Sequence, residues 1–177
     1  GSTRGIGFAI AQGLAESGAT VIVNSRQQTA VDTAVQKLKA LGLHASGAAF
    51  DVAVETSVMD AFNEFDRQGL AVDIVINNAG VASGGPIWES TEKDWKWLFG
   101  VNVDGVANGV RSFTPRMLAA AAADPGYEGC IVNTASMAGL VTAPGMGIYS
   151  VSKHAVLALS ECLYHDLDLV GPQVRAA

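Results

Sequence analysis

The sequence predicts an α/β fold built on a doubly wound parallel sheet with helices on both faces, incomplete at both ends. Three observations predict it. Short β-branched runs alternate with amphipathic helical stretches. The strands are apolar almost throughout, as strands covered on both faces are. Turns rich in glycine, asparagine and serine follow the strands, and right-handed crossovers then place those turns together at one edge of the sheet.

Taken in order, residues 7–17 read as a helix with Ile6, Ile10 and Leu14 on one face, stopped by Gly18. Residues 19–23 are a buried strand. Residues 28–41 form an amphipathic helix with Val31, Val35, Leu38 and Leu41 on one stripe, ended by Gly42. A weaker strand covers 44–50. Helix 55–68 turns Val58, Phe62 and Phe65 inward, and 72–76 is a strong strand. A long helix over 94–122 carries Trp95, Leu98, Phe99, Val106, Val110 and Met117. Strand 130–134 and helix 149–170 follow, and a further strand begins near Val174.

With 49% apolar and 16% charged residues, the chain can bury a sizeable core. Its net charge of −6 and pI of 4.9 argue against nucleic acid or an anionic membrane surface as a partner. No uninterrupted apolar run reaches the roughly 18 residues a membrane span needs. Cys130 and Cys162 stand apart and form no CxxC, so two reduced, buried thiols in a cytoplasmic protein are expected. His44, His154 and His165 make no ligand cluster, and no metal site is expected. The chain opens without a strand before Gly1 and stops where a strand begins. It is expected to be one catalytic domain, residues 1–177, from a parent of roughly 250 residues. An open trench in the core and poor stability of the 177-residue piece alone are expected to follow.

The residues just past the strands carry the chemistry. Gly1, Gly5 and Gly7 make a GxxxGxG turn at the head of the first helix. Glycine lets backbone approach a pyrophosphate, and the helix N-terminus supplies unpaired N–H groups; the same pattern also suits a plain turn. Past strand 19–23 stand Asn24, Ser25 and Arg26, with no acid to accept from a ribose 2′-hydroxyl. Arg4 and Arg26 can instead grip a 2′-phosphate, which favours NADP(H) over NAD(H). Strand 72–76 is followed by Asn77-Asn78-Ala79-Gly80, a tight turn. Tyr149 and Lys153, four residues apart, share one helical face, so a cation stands by to stabilise a phenolate. Ser136 ends the preceding strand with a hydroxyl free to donate to a carbonyl oxygen. Asn102 lies in so apolar a stretch that its amide must find a partner.

These residues together resemble the short-chain dehydrogenase/reductase family. Gly1-Ser2-Thr3-Arg4-Gly5-Ile6-Gly7 matches its TGxxxGIG signature without the leading threonine, 77–80 matches its NNAG turn, and Asn102, Ser136, Tyr149 and Lys153 match its tetrad. The resemblance implies a Rossmann-like fold and hydride transfer between a nicotinamide and a carbonyl or secondary alcohol. Tyr149 would move the proton, Lys153 would support the phenolate and hold the nicotinamide ribose, Ser136 would polarise the substrate, and Asn102 would hold a water. Gly1, Thr3, Arg4, Gly5, Ile6, Gly7, Ser25, Arg26, Asp51, Val52, Asn78, Ala79 and Gly80 would bind the cofactor with Tyr149 and Lys153. It further implies a homodimer or homotetramer built on the two long helices.

The segment 137–148 should line the substrate pocket. It contains Met137, Leu140, Val141, Pro144 and Met146 and no charge, so an apolar ketone or alcohol is expected. A narrower alternative is a 3-oxoacyl-carrier-protein reductase, although 118–130 lacks the lysines and arginines that would meet an acidic carrier. An epimerase or dehydratase shares Tyr-x-x-x-Lys, and a nucleotide-binding regulatory protein with an idle site is the alternative of another class.

Overall fold

The structure, a computed structural model, describes residues 1–171 and 173–177. Its elements run α1 (Gly5–Glu16), β1 (Val21–Ser25), α2 (Gln28–Ala40), β2 (Ala45–Ala49), α3 (Glu55–Arg67), β3 (Ile74–Asn77), α4 (Glu92–Phe99), α5 (Gly105–Ala123), β4 (Gly129–Asn133), α6 (Gly147–Val170) and β5 (Val174–Ala176). Every strand pairing is parallel. The alternating α/β fold expected from the sequence is therefore the one found.

The strands fall into two sheets. β1 pairs with β2, with Val21 opposite Ala45. β3, β4 and β5 form the other, with Ile74 opposite Cys130 and Cys130 opposite Arg175. Each sheet has its own core. Val31, Ala34 and Leu38 of α2 close on Val21, Val23 and Ala45. Gly47 lets α2 lie close, since a Cβ there would stand 2.2 Å from Val31 Cγ1. On the other side, Val58 and Phe62 of α3 meet Val75, Phe113 and Ile131, with the Phe62 and Phe113 rings 4.1 Å apart. Between β1 and β3 lies an apolar cavity of about 470 Å³, lined among others by Val21, Ile22, Ile74, Ile76, Ile10 and Phe62. The expected trench is present, flanked by edges of β1 and β3 that pair with no strand on that side among the described residues.

Several inward faces differ from expectation. In α1 the buried residues are Gly7, Ala11 and Ala15, while Ile6 is 67% exposed and Ile10 and Leu14 border the cavity. Small residues bring that helix onto β1, and the larger ones are left facing the gap. Leu41, placed on the α2 stripe, lies past the helix end and is exposed. Cys162 is exposed and Cys130 half-buried, so the two thiols are free and neither is buried as expected. The long helix starts earlier, at Glu92. There Thr91 Oγ1 accepts from the Asp94 amide and Asp94 Oδ2 accepts from the Thr91 amide, a reciprocal cap. That helix also changes winding midway, over Gly100–Asp104, where it is π-helical.

Candidate active site

The π turn positions the first site residue. The Gly105 amide reaches back five residues to the Gly100 carbonyl, and the extra residue is accommodated around Asn102. Asn102 is fully buried. Its Oδ1 accepts from the Val81 amide at 2.8 Å. Its Nδ2 donates to the Val81 carbonyl at 2.9 Å and to Ser152 Oγ at 3.0 Å. Ser152 Oγ in turn donates to the Tyr149 carbonyl at 2.7 Å. The partner that the apolar surroundings demanded is thus the loop after β3 together with the first turns of α6.

Lys153 is buried, one turn beyond half-buried Tyr149 on α6. Its Nζ donates to the Thr134 carbonyl at 2.7 Å and stands 5.9 Å from the centre of the Tyr149 ring. Burial holds its pKa below the ordinary lysine value. Among the described residues no carboxylate pairs with it. Gly80 closes the cluster: a Cβ there would sit 3.6 Å from Asn102 Oδ1 and 3.9 Å from Lys153 Nζ. Ser136 caps a one-turn 3-10 helix, Met137–Gly139, with its Oγ accepting from the Ala138 amide at 3.2 Å. That turn packs against α6, so all four tetrad residues lie around one region.

The glycine turn joins the same edge. Asn78 Nδ2 donates to the Gly1 carbonyl at 2.9 Å. A Cβ on Gly7 would lie 2.1 Å from that carbonyl oxygen, and one on Gly1 would lie 3.0 Å from Ala79 Cα. Backbone packs on backbone here. Arg4 is the α1 N-cap and offers no side-chain cap, and Gly5 takes a φ of 57°. The first-turn amides of α1 therefore remain available to an anion, which fits a pyrophosphate. Thr3 and Ser25 are half-buried, and Arg4, Ile6 and Arg26 are exposed. Neither arginine forms an ion pair among the described residues. Asp51 follows β2 and turns back on itself, its Oδ1 accepting from the Ala53 amide at 3.0 Å. Val52 lies over Gly105, and its carbonyl accepts from Asn108 Nδ2 at 2.9 Å.

Residues 1–176 match the family model for short chain dehydrogenases. The chain belongs to the short-chain dehydrogenase family. Among its relatives in that family, gluconate 5-dehydrogenase of Gluconobacter oxydans is 36% identical over 175 residues, covering 99% of this chain and 66% of that protein. A short-chain dehydrogenase from Burkholderia phymatum, solved with NAD, is 42% identical with a TM-score of 0.91 over 99% of this chain and 60% of that one. A gluconate 5-dehydrogenase from Burkholderia cenocepacia J2315, solved with NADP and tartrate, is 34% identical with a TM-score of 0.90, over 99% of this chain and 66% of that one. This short-chain dehydrogenase chain spans between 55% and 66% of the length of three curated relatives it matches.

Sequence reasoning alone missed Val81, Thr134 and Ser152, which hold the short-chain dehydrogenase tetrad in place. Val81 and Thr134 act through backbone atoms, which no residue type announces. Ser152 carried a usable signal, a hydroxyl between Tyr149 and Lys153 on a largely apolar helix. Asn108 carried the same signal as Asn102, an amide inside an apolar stretch, and it too is buried and partnered.

Proposed function

We propose that the full-length protein is an oxidoreductase that interconverts a carbonyl and a secondary alcohol, with NADP(H) preferred over NAD(H). The observation that carries this reading is buried Lys153, held next to Tyr149, Asn102 and Gly80 with no carboxylate among the described residues to neutralise it. A bound nicotinamide supplies hydride in reduction and takes it up in oxidation. The chain's own residues do the rest. Ser136 Oγ donates to the substrate oxygen and orients it. Tyr149 gives that oxygen a proton as the carbonyl is reduced, or takes it back as the alcohol is oxidised. Lys153 favours the phenolate left behind. Asn102, whose side-chain amide is taken up by Val81 and Ser152, serves the proton route by fixing the loop after β3 to α6.

The α1 N-terminus, Gly1, Gly7, Asn78, Ala79 and Gly80 would hold the pyrophosphate and nicotinamide half. Asp51 and Val52 would meet the adenine. Arg4 and Arg26, exposed and without ion-pair partners among the described residues, are free to meet a 2′-phosphate. The substrate is read as apolar, because Met137, Leu140 and Val141 beside Ser136 are 70%, 66% and 57% exposed. Gluconate dehydrogenases among the relatives would argue for a charged sugar acid instead, and the assay decides between them.

The domain is read as one of roughly 250 residues, whose central strand would fill the cavity between β1 and β3. Exposed Tyr164 and Val151 on α6 and Trp97 on α4 suit burial against a second copy, consistent with a homodimer or homotetramer. A cytoplasmic location is part of the same proposal; no helix among the described residues is long and apolar enough to cross a membrane. The test follows NADPH absorbance of the full-length protein with neutral ketones and with gluconate-like keto acids, for wild type and Tyr149→Phe. Ketone-dependent oxidation of NADPH that Tyr149→Phe abolishes supports the reading. Binding of NADPH with no turnover of any carbonyl points to the idle-site alternative.

A further inference from the structure

The turn that carries Ser136 meets α6 at one glycine. Gly139 is buried, and its amide donates to the Ser136 carbonyl at 2.9 Å, closing the single 3-10 turn that Ser136 caps. A Cβ built on Gly139 would lie 2.8 Å from the Lys153 carbonyl oxygen, 3.1 Å from its carbon and 3.6 Å from the His154 amide nitrogen. Those are backbone atoms inside a helix, so they cannot rotate aside as a side chain would.

The backbone of Gly139 does not itself require glycine. The glycines with positive φ are Gly5, Gly18, Gly42, Gly69, Gly85 and Gly145, and Gly139 is not among them. The demand is for clearance alone. Ordinary Cβ contacts begin near 3.4 Å, so any side chain at 139 must push the turn and the helix apart by several tenths of an ångström. The helix is tied in place by Lys153 Nζ on Thr134 and by Ser152 on Asn102. Among the described residues the hydrogen bonds of the turn itself are all short-range, so it is the part that gives way.

We propose that Gly139 is a positioning residue: by letting the Ser136 turn touch the α6 backbone at Lys153, it sets the distance between the serine hydroxyl and the Tyr149–Lys153 pair. This rests on the oxidoreductase reading above. A 1 Å misplacement of a reacting group costs about 100-fold in rate, so a displacement of several tenths of an ångström is expected to lower kcat by about 10-fold. Gly139 acts through Ser136 and touches no reacting atom, so its effect must vanish when the serine hydroxyl is gone.

The experiment is a double-mutant cycle in the full-length protein: wild type, Gly139→Ala, Ser136→Ala and the double variant. It measures kcat for ketone reduction, NADPH affinity by fluorescence, and the melting curve. The expected result is a kcat loss of about 10-fold or more for Gly139→Ala, with NADPH affinity kept within about 2-fold, and a loss under about 2-fold when the change is made on Ser136→Ala. Equal losses in both backgrounds would show that the contact acts on Tyr149 or Lys153, or on the fold at large, and would overturn the proposal. So would a Gly139→Ala protein that neither binds NADPH nor melts cooperatively, because the contact would then hold the fold and not the serine. If wild type turns over no carbonyl at all, the oxidoreductase reading itself fails, and it does so before any variant is compared.

Discussion

Replacing Asn102 by leucine keeps the branching of the side chain, adds some bulk and removes its amide. The Val81 amide then loses its acceptor, the Val81 carbonyl loses its donor, and Ser152 loses an incoming bond while keeping its own to the Tyr149 carbonyl. A buried polar group without a partner costs about 1–3 kcal/mol. Val81 is only half-buried, so water recovers part of this, and the two backbone groups together should cost about 2–4 kcal/mol. In a domain of roughly 250 residues that corresponds to a fall in Tm of about 5–15 °C. The assay is urea unfolding of the full-length protein, with hydrogen exchange at the Val81 amide as a local reading. We expect a lower urea midpoint at unchanged slope, and exchange at Val81 faster than in wild type. The reasoning is refuted if Asn102→Leu costs less than about 1 kcal/mol, since the three bonds would then be structural coincidence and not the reason an amide is buried there.

Other expectations concern charge and clearance. Burial lowers the Lys153 pKa below 10.5, so the unfolded chain holds more protons than the folded one between the folded value and 10.5. Stability therefore rises with pH across that window, and the difference between wild type and Lys153→Met, followed by urea unfolding, should rise with it; a flat or falling difference contradicts the burial argument, while ketone reduction by Lys153→Met should be lost. Arg26→Ala or Arg4→Ala should weaken NADPH by about 10-fold to 150-fold, the worth of a charge-assisted bond, while steady-state kinetics with NADH move by less than about 2-fold. Equal losses for both cofactors would remove the arginines from the 2′-phosphate. Gly109→Ala would place a Cβ 2.2 Å from Asn77 Oδ1 and force that amide off Asn133, which accepts from it at 2.8 Å. Overpacking of this kind costs about 1–3 kcal/mol, and an unchanged denaturation midpoint would show that Asn77 swings aside freely.

Much of the fold was legible because its signals are local. Gly18 and Gly42 end helices with φ of 96° and 77°, conformations that favour glycine wherever they occur. The apolar run around Val21 and Val23 and the one around Ile131 and Val132 are strands whichever partners they find. Inward faces were less secure. Ile6, Ile10 and Leu14 share a helical stripe, but α1 buries Gly7, Ala11 and Ala15 instead, because closeness to β1 there is limited by size and not by hydrophobicity. Cys162 looked like a core residue by type and is exposed, since its place on α6 faces away from both cores.

The candidate tetrad Asn102, Ser136, Tyr149 and Lys153 could be named from the chain through the resemblance its motifs carry, and helical spacing puts Tyr149 and Lys153 on one face. What holds them could not. The π turn that buries Asn102, the backbone of Val81 and Thr134, and the clearance at Gly139 depend on segments far apart in sequence meeting as backbone. Backbone atoms are the same in every residue, so only the tertiary structure decides which of them become partners.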